Sequence, residues 1–182
     1  MPMLQKLCCW DNKLTSLEGL NAPMLQELDC SFNQIVRLDF YNNINLRKIY
    51  CNDNQLTAIE SLHYQQDLTF LDCSNNSLND VFVGNNSNLE GLYTSNNQLT
   101  YIDVSSNLKL TELKANQNLM TSLNVKNGNN TNFTEFTALN NPNLTCVFVD
   151  NYTWSMKNWP NIDATSNFVE NEAACNSLSV SE

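Results

Sequence analysis

The chain repeats one short pattern of apolar residues, and this repeat restricts its fold more than any other feature. The pattern Leu-x-x-Leu-x-Cys-x-x-Asn-x-Leu recurs seven times, and its first residues lie 21, 21, 22, 21, 21 and 23 positions apart. Those first residues are Leu4, Leu25, Leu46, Leu68, Leu89, Leu110 and Phe133. A fixed period of this length is typical of a solenoid, in which each coil stacks on the next.

Each repeat favours short strands over helices. Half of a repeat is shorter than the roughly 10–12 residues that identify a helix, whereas Leu-x-Cys and Leu-x-Val alternate as strands do. One coil cannot bury its own leucines, so the core forms only when neighbouring coils stack. The sequence therefore predicts a β-rich solenoid over residues 1–145, with about seven coils, short parallel strands on both sides and little helix.

The composition argues against several classes of function. A net charge of −10 would repel nucleic acid, and the single histidine, His63, gives little basis for zinc sites or catalytic triads. No run reaches the roughly 18 apolar residues of a membrane-spanning helix. Gly-rich phosphate loops, His-Glu-x-x-His and Cys-x-x-Cys motifs are missing from the sequence. We expect a chain that is not an enzyme and has no cofactor and no metal site.

The repeat unit resembles the leucine-rich repeat family over roughly residues 4–145. It looks like the 21-residue class of Bacteroidetes surface and secreted proteins, because the second half of a repeat echoes the first, as in residues 38–40, 81–83 and 102–104. The echo is weaker at Ala22, near residues 63–67 and at Gly128. This resemblance implies an exported module, secreted or on the cell surface, with a role in adhesion.

Stacking converts repeat positions into columns, and one inward column consists of asparagine. Its amides can bond backbone groups of their own coil and of the next, so we interpret it as structural, although a ladder of amides could also bind a ligand. The members are Asn12, Asn33, Asn54, Asn76, Asn97 and Asn118, followed by Asn141.

A second inward column contains four cysteines, Cys9, Cys30, Cys51 and Cys73, and continues with Thr and Ala. Four thiols in line could indicate a metal site or disulfides. Neighbours in a parallel ladder are about 4.8 Å apart, however, and a disulfide needs Cβ atoms about 3.8 Å apart. Replacement by Thr and Ala indicates a position for small side chains, so we interpret these cysteines as buried thiols.

The segment after the last repeat, residues 146–176, resembles the C-terminal cap of the same family. Its tryptophans suit the covering of an exposed solenoid end. Cys146 and Cys175 lie in this segment, outside the columns, and we expect them to form a disulfide, which implies an oxidising compartment. Residues 177–182 resemble the start of a linker, so we expect the chain to be part of a longer exported protein.

Outward positions of the first strand are the candidate binding face, expected on the concave side. Exposed aromatic residues flanked by carboxylates suit a protein or glycan partner, but cross-strand aromatic neighbours also simply stabilise a sheet. The candidate residues are Trp10, Asp29, Tyr50, Phe70, Asp72 and Tyr93.

The second strand offers Glu18, Asp39 and Glu60 in one outward column. These carboxylates could bridge a calcium ion, but the sequence has no Gly-Gly-x-Gly-x-Asp calcium repeat, so we interpret them as a solvated acidic face. The sequence therefore predicts a binding module, with two alternatives: a spacer that displays a neighbouring domain, or a calcium-linked surface assembly. Because the first repeat has no cap before it, we expect a monomer or an edge-to-edge dimer through that coil.

Overall fold

A computed structural model describes residues 3–178 and shows a parallel β-solenoid of about eight turns with little helix. The predicted fold class is therefore confirmed. Every strand is three residues long, as the Leu-x-Cys half-repeats predict. Among the described residues, no helix has the length and apolar character needed to cross a membrane.

The first side of the solenoid is a seven-stranded parallel sheet, which we call the seven-stranded face. Its strands stand in the order β1-β2-β4-β6-β7-β9-β11, so that successive repeats are neighbours. Tyr50 pairs with Asp29 on one side and with Asp72 on the other, as the columns predict. The strands are β1 (Lys6–Cys8), β2 (Glu27–Asp29), β4 (Lys48–Tyr50), β6 (Phe70–Asp72), β7 (Gly91–Tyr93), β9 (Glu112–Lys114) and β11 (Glu135–Thr137).

The second side carries two separate sheets instead of the continuous one that the repeats predict. The break lies at residues 81–83, which form no strand. The preceding repeat, the third, is one residue longer than its neighbours, and its chain turns through a short 3-10 helix at Leu62–Tyr64. We attribute the break to this insertion. One sheet pairs β3 (Arg37–Asp39) with β5 (Ala58–Glu60), and the other contains β8 (Tyr101–Asp103), β10 (Ser122–Asn124), β12 (Cys146–Phe148) and β13 (Asn167–Val169).

The leucine columns form one continuous core between the two sides. Leu28, Ile49, Leu71, Leu92 and Leu113, the central residues of successive strands, are all completely buried. Burying a side chain of this size stabilises the fold by about 1.5–3 kcal/mol relative to leaving it exposed. Stacking therefore supplies the stability that no single coil could have.

The asparagine column joins consecutive coils through hydrogen bonds. Asn97, for example, donates from Nδ2 to Cys73 O at 3.0 Å and to Thr94 O at 3.1 Å, and accepts from Leu78 N at 2.9 Å. Asn12, in the first coil, is exposed and bonds carbonyls of its own coil. The amides therefore pair backbone groups that the tight turn would leave unbonded.

Each of these turns places the residue before the column asparagine in the left-handed region, with φ between 53° and 60°. Asn and Asp tolerate this region better than other residues because a short polar side chain can bond locally. The second coil has Phe32 at this position, with half of its side chain exposed. The full set is Asp11, Phe32, Asp53, Asn75, Asn96, Gln117 and Asn140.

The cysteine column holds free thiols. Cys30, Cys51 and Cys73 are fully buried, Cys9 is partly buried and Cys8 beside it is exposed. Burial raises the pKa of Cys30 to about 12 and raises the pKa of Cys51 and Cys73 well above the ordinary value. These side chains therefore pack as small apolar groups.

The predicted disulfide between Cys146 and Cys175 is present, with their Cα atoms 5.9 Å apart. The segment around it adds β12 and β13 to the second sheet, and Ile162 bridges to Ala138 on the first side. Trp159 is buried and stacks on Phe136 with ring centroids 4.1 Å apart.

Two helices complete the segment: α1 (Tyr152–Asn158) and α2 (Glu172–Leu178). The side chain of Asn151 caps α1 by accepting from Trp154 N at 2.9 Å. Of the predicted linker start at 177–182, the first two residues belong to α2, and residues 179–182 lie outside the described part of the chain.

Candidate functional site

The middle of the seven-stranded face carries three aromatic side chains in contact, Tyr50, Phe70 and Tyr93, which we call the aromatic cluster. The Phe70 ring lies 5.2 Å from that of Tyr50 and 5.0 Å from that of Tyr93, the second pair edge to face. All three side chains are partly exposed. Such pairs contribute about 0.5–1.5 kcal/mol beyond burial, so the cluster has a fixed shape before any partner arrives.

Gly91 makes this packing possible. The ring of Phe70 lies directly over the glycine, so that a Cβ at position 91 would stand 2.6 Å from Phe70 Cδ2. The residue paired with Phe70 on this strand must therefore have no side chain. Sequence reasoning did not single out Gly91, and the signal available was its rarity, since the chain has only four glycines.

Tyr93 is held by charged neighbours that the sequence analysis did not single out. Its hydroxyl donates to Glu112 Oε2 at 2.5 Å, and the Lys114 ammonium lies 4.3 Å from the ring centroid. Lys114 also pairs with Glu135 at 3.2 Å. Burial, followed by the bond to Glu112, raises the pKa of the Tyr93 hydroxyl, which therefore remains protonated and able to donate.

Asp29 and Asp72 occupy the positions on either side of Tyr50 in the same column. Asp29 Oδ1 accepts from Ser31 N at 3.1 Å and from Ser31 Oγ at 2.6 Å, and Asp72 Oδ1 accepts from Ser74 N at 3.0 Å. Burial is the main cause that raises the pKa of the Asp72 carboxyl. Both carboxylates are thus oriented by their own turns.

Trp10 does not join the aromatic cluster. It lies in the coil of β1, which β2 separates from the strand of Tyr50, and its side chain is 54% exposed. The structure therefore brings together five of the six predicted binding residues and leaves Trp10 at the edge of the sheet.

The acidic column on the second side is partly neutralised. Asp39 and Glu60 are paired neighbours, and Arg37 forms an ion pair with Glu60. The residues from 3 to 178 include no group of three or more His, Cys, Asp or Glu side chains arranged to hold a metal ion.

Comparison with known proteins supports the repeat assignment. The family of Leucine Rich repeats (2 copies) matches residues 23–63. No curated protein gives a significant match.

Two solved structures from Listeria monocytogenes resemble the chain. The functional domain of InlJ, a structure described as including a cysteine ladder, is 31% identical with a TM-score of 0.70, over 80% of this chain and 36% of that one. The internalin inlF is 17% identical with a TM-score of 0.61, over 94% of this chain and 64% of that one, and its likeness is one of fold. The chain thus spans less than two thirds of either structure. The matched repeats, the likeness to InlJ and the stacked parallel coils together support the leucine-rich repeat family for this chain.

Proposed function

We propose that the chain is a non-catalytic, exported module that binds a protein or glycan partner through the seven-stranded face. The observation that carries this proposal is the aromatic cluster of Tyr50, Phe70 and Tyr93, which is partly exposed and already packed into one shape over Gly91. Rigid aromatic side chains give a large contact area at low entropic cost, which is why they dominate binding energies at interfaces.

Export is part of the same proposal. The disulfide between Cys146 and Cys175 is typical of oxidising compartments, and it supports a secreted or surface location. We also propose that residues 146–176 act as the C-terminal cap, since Trp159 and Phe168 are buried against the end of the core. The assignment to the 21-residue Bacteroidetes class belongs to this proposal and rests on the repeat length.

A pulldown from surface extracts, together with a glycan array, tests the binding function. The double variant Tyr50→Ala/Tyr93→Ala should lose the partner while it still folds, although it should melt at a lower temperature because both ring contacts to Phe70 are removed. Tyr41→Ala is the matched control, because Tyr41 is an exposed tyrosine in the turn after β3, on the second side. Equal capture by both variants would refute a site on the seven-stranded face.

A structural spacer is the alternative function. The regular stacking of short coils suits a stalk, and a stalk needs no binding face. In that case the well-folded chain would capture nothing in either assay, and the Tyr50→Ala/Tyr93→Ala variant would be indistinguishable from the wild type. The calcium-linked assembly would instead show a calcium-dependent rise in melting temperature that Glu60→Gln reduces.

A further inference from the structure

We infer that the partner of the seven-stranded face is a protein that presents a basic segment, with an arginine side chain lying on the Tyr50 ring between Asp29 and Asp72. This inference rests on the proposed binding function and names the chemistry of its partner. Three observations carry it: the register of the column, an internal cation on the neighbouring tyrosine, and the orientation of the two carboxylates.

The register places one carboxylate on each side of the Tyr50 ring. Asp29, Tyr50 and Asp72 are paired positions on β2, β4 and β6, and adjacent strands lie about 4.8 Å apart. The two carboxylates are therefore about 10 Å apart across the ring. A planar guanidinium that stacks on the ring can hydrogen-bond toward carboxylates at its edges, since it has five donors in a rigid fork.

The same face already contains one cation bound in this way. Lys114 lies over the Tyr93 ring, 4.3 Å from its centroid, and pairs with the carboxylate of Glu135. An aromatic ring beside a carboxylate thus holds a positive charge on this sheet. Tyr50 is also a partly exposed tyrosine of this column, but both of its paired neighbours are carboxylates, whereas Tyr93 is paired with Asp72 and with Lys114 itself.

The carboxylates of Asp29 and Asp72 are held in fixed orientations that leave one oxygen available to a ligand. Each uses Oδ1 to accept from a serine backbone N–H two residues later, which fixes the side chain without consuming Oδ2. Partial burial disfavours the charged form of Asp72, so a cationic partner relieves a cost that the free protein carries. A neutral glycan would offer no positive charge to relieve this cost. The chemistry of the site therefore favours a cationic group.

A matched pair of peptides tests the inference. The probe is a blocked peptide of alternating arginine and glycine, and its control is the same peptide with citrulline, which keeps the shape of arginine without its charge. Binding is followed by amide chemical shifts of the isotope-labelled protein. We expect the arginine peptide to shift the amides of Asp29, Tyr50 and Asp72, and the citrulline peptide to bind at least about tenfold more weakly.

Conservative variants locate the charge and the ring separately. Asp29→Asn and Asp72→Asn keep the Oδ1 acceptor of each turn, and each should weaken the arginine peptide about fivefold. Tyr50→Phe should bind as the wild type does, whereas Tyr50→Leu should bind about tenfold more weakly. Asp39→Asn is the control, because Asp39 has the same turn, with its Oδ1 accepting from Tyr41 N at 3.0 Å, on the other side of the molecule.

The outcomes distinguish this inference from the proposed function. Equal binding of the arginine and citrulline peptides, or shifts that map away from Tyr50, would overturn the basic partner. If the Tyr50→Ala/Tyr93→Ala variant nevertheless failed to capture the partner from surface extracts, the proposed binding function would stand and only the basic character of the partner would be refuted. A glycan bound at the cluster, with no effect of Asp29→Asn, would likewise contradict the inference.

Discussion

Replacing Asn97 by alanine tests whether the asparagine column holds one coil to the next. Asn97 is 8% exposed, and its side chain bonds Cys73 O, Thr94 O and Leu78 N. Each of the two carbonyls also accepts from another asparagine of the column, so neither loses its last donor. Among these groups, the Leu78 N–H alone is left buried without a partner.

The loss of stability expected for Asn97→Ala follows from which groups lose their last hydrogen-bond partner. An unpaired buried N–H costs about 1–3 kcal/mol, and the two weakened carbonyl bonds add about 1 kcal/mol together. We therefore expect Asn97→Ala to lower the free energy of unfolding by about 2–4 kcal/mol. Guanidinium unfolding followed by circular dichroism measures this quantity. Gln98→Ala, at an exposed position in the same turn, is the control and should stay within about 0.5 kcal/mol of the wild type.

An aspartate at position 97 separates the acceptor role from the donor role. It keeps an oxygen for Leu78 N but turns a second oxygen toward two carbonyls, so Asn97→Asp should be less stable than Asn97→Ala at neutral pH. The pKa of the introduced carboxyl group should be raised in the folded state, because only its protonated form can donate a hydrogen bond to these carbonyls. Stability should then rise as the pH falls through that pKa. Equal stability of Asn97→Ala and Gln98→Ala would refute the reasoning.

Three further predictions concern the seven-stranded face and the thiols. Gly91→Ala should lower the free energy of unfolding by about 1–3 kcal/mol through its clash with Phe70, and the penalty should disappear in a Phe70→Leu background. Since burial raises the pKa of Asp72, Asp72→Asn should melt higher than the wild type at neutral pH, and acidification through that pKa should close the gap. A maleimide should label Cys8 in the native protein and Cys51 only after unfolding, as mass spectrometry will show; rapid native labelling of Cys51 would contradict the burial.

The repeat alone predicts the fold because its period fixes the register. Once Leu28 and Ile49 must face the same core, Asp29 and Tyr50 have to be neighbours on the outer surface, and they are. The second side is less predictable. Residues 81–83 have the same alternating pattern as the strands on either side of them and yet form no strand, and we attribute this to the extra residue in the preceding repeat.

The details of the candidate site depend on side-chain directions that a column cannot give. Phe70 can lie over Gly91 because glycine has no side chain to occupy that space. The sequence shows that position 91 is a glycine, but it does not show which neighbouring side chain lies over it. The position of Lys114 over Tyr93 is a choice among rotamers of a long side chain. Both contacts link residues of adjacent coils, so they depend on tertiary packing.

The cysteine column also constrains the order of events during maturation. In the unfolded chain, Cys30, Cys51 and Cys73 are ordinary reactive thiols and compete with Cys146 and Cys175 for partners. Stacking of the coils removes the three from solvent and raises their pKa, which suppresses the thiolate that disulfide exchange requires. Correct pairing therefore depends on the coils assembling before oxidation is complete, and an oxidant that acts too early would trap the chain with its own core residues crosslinked.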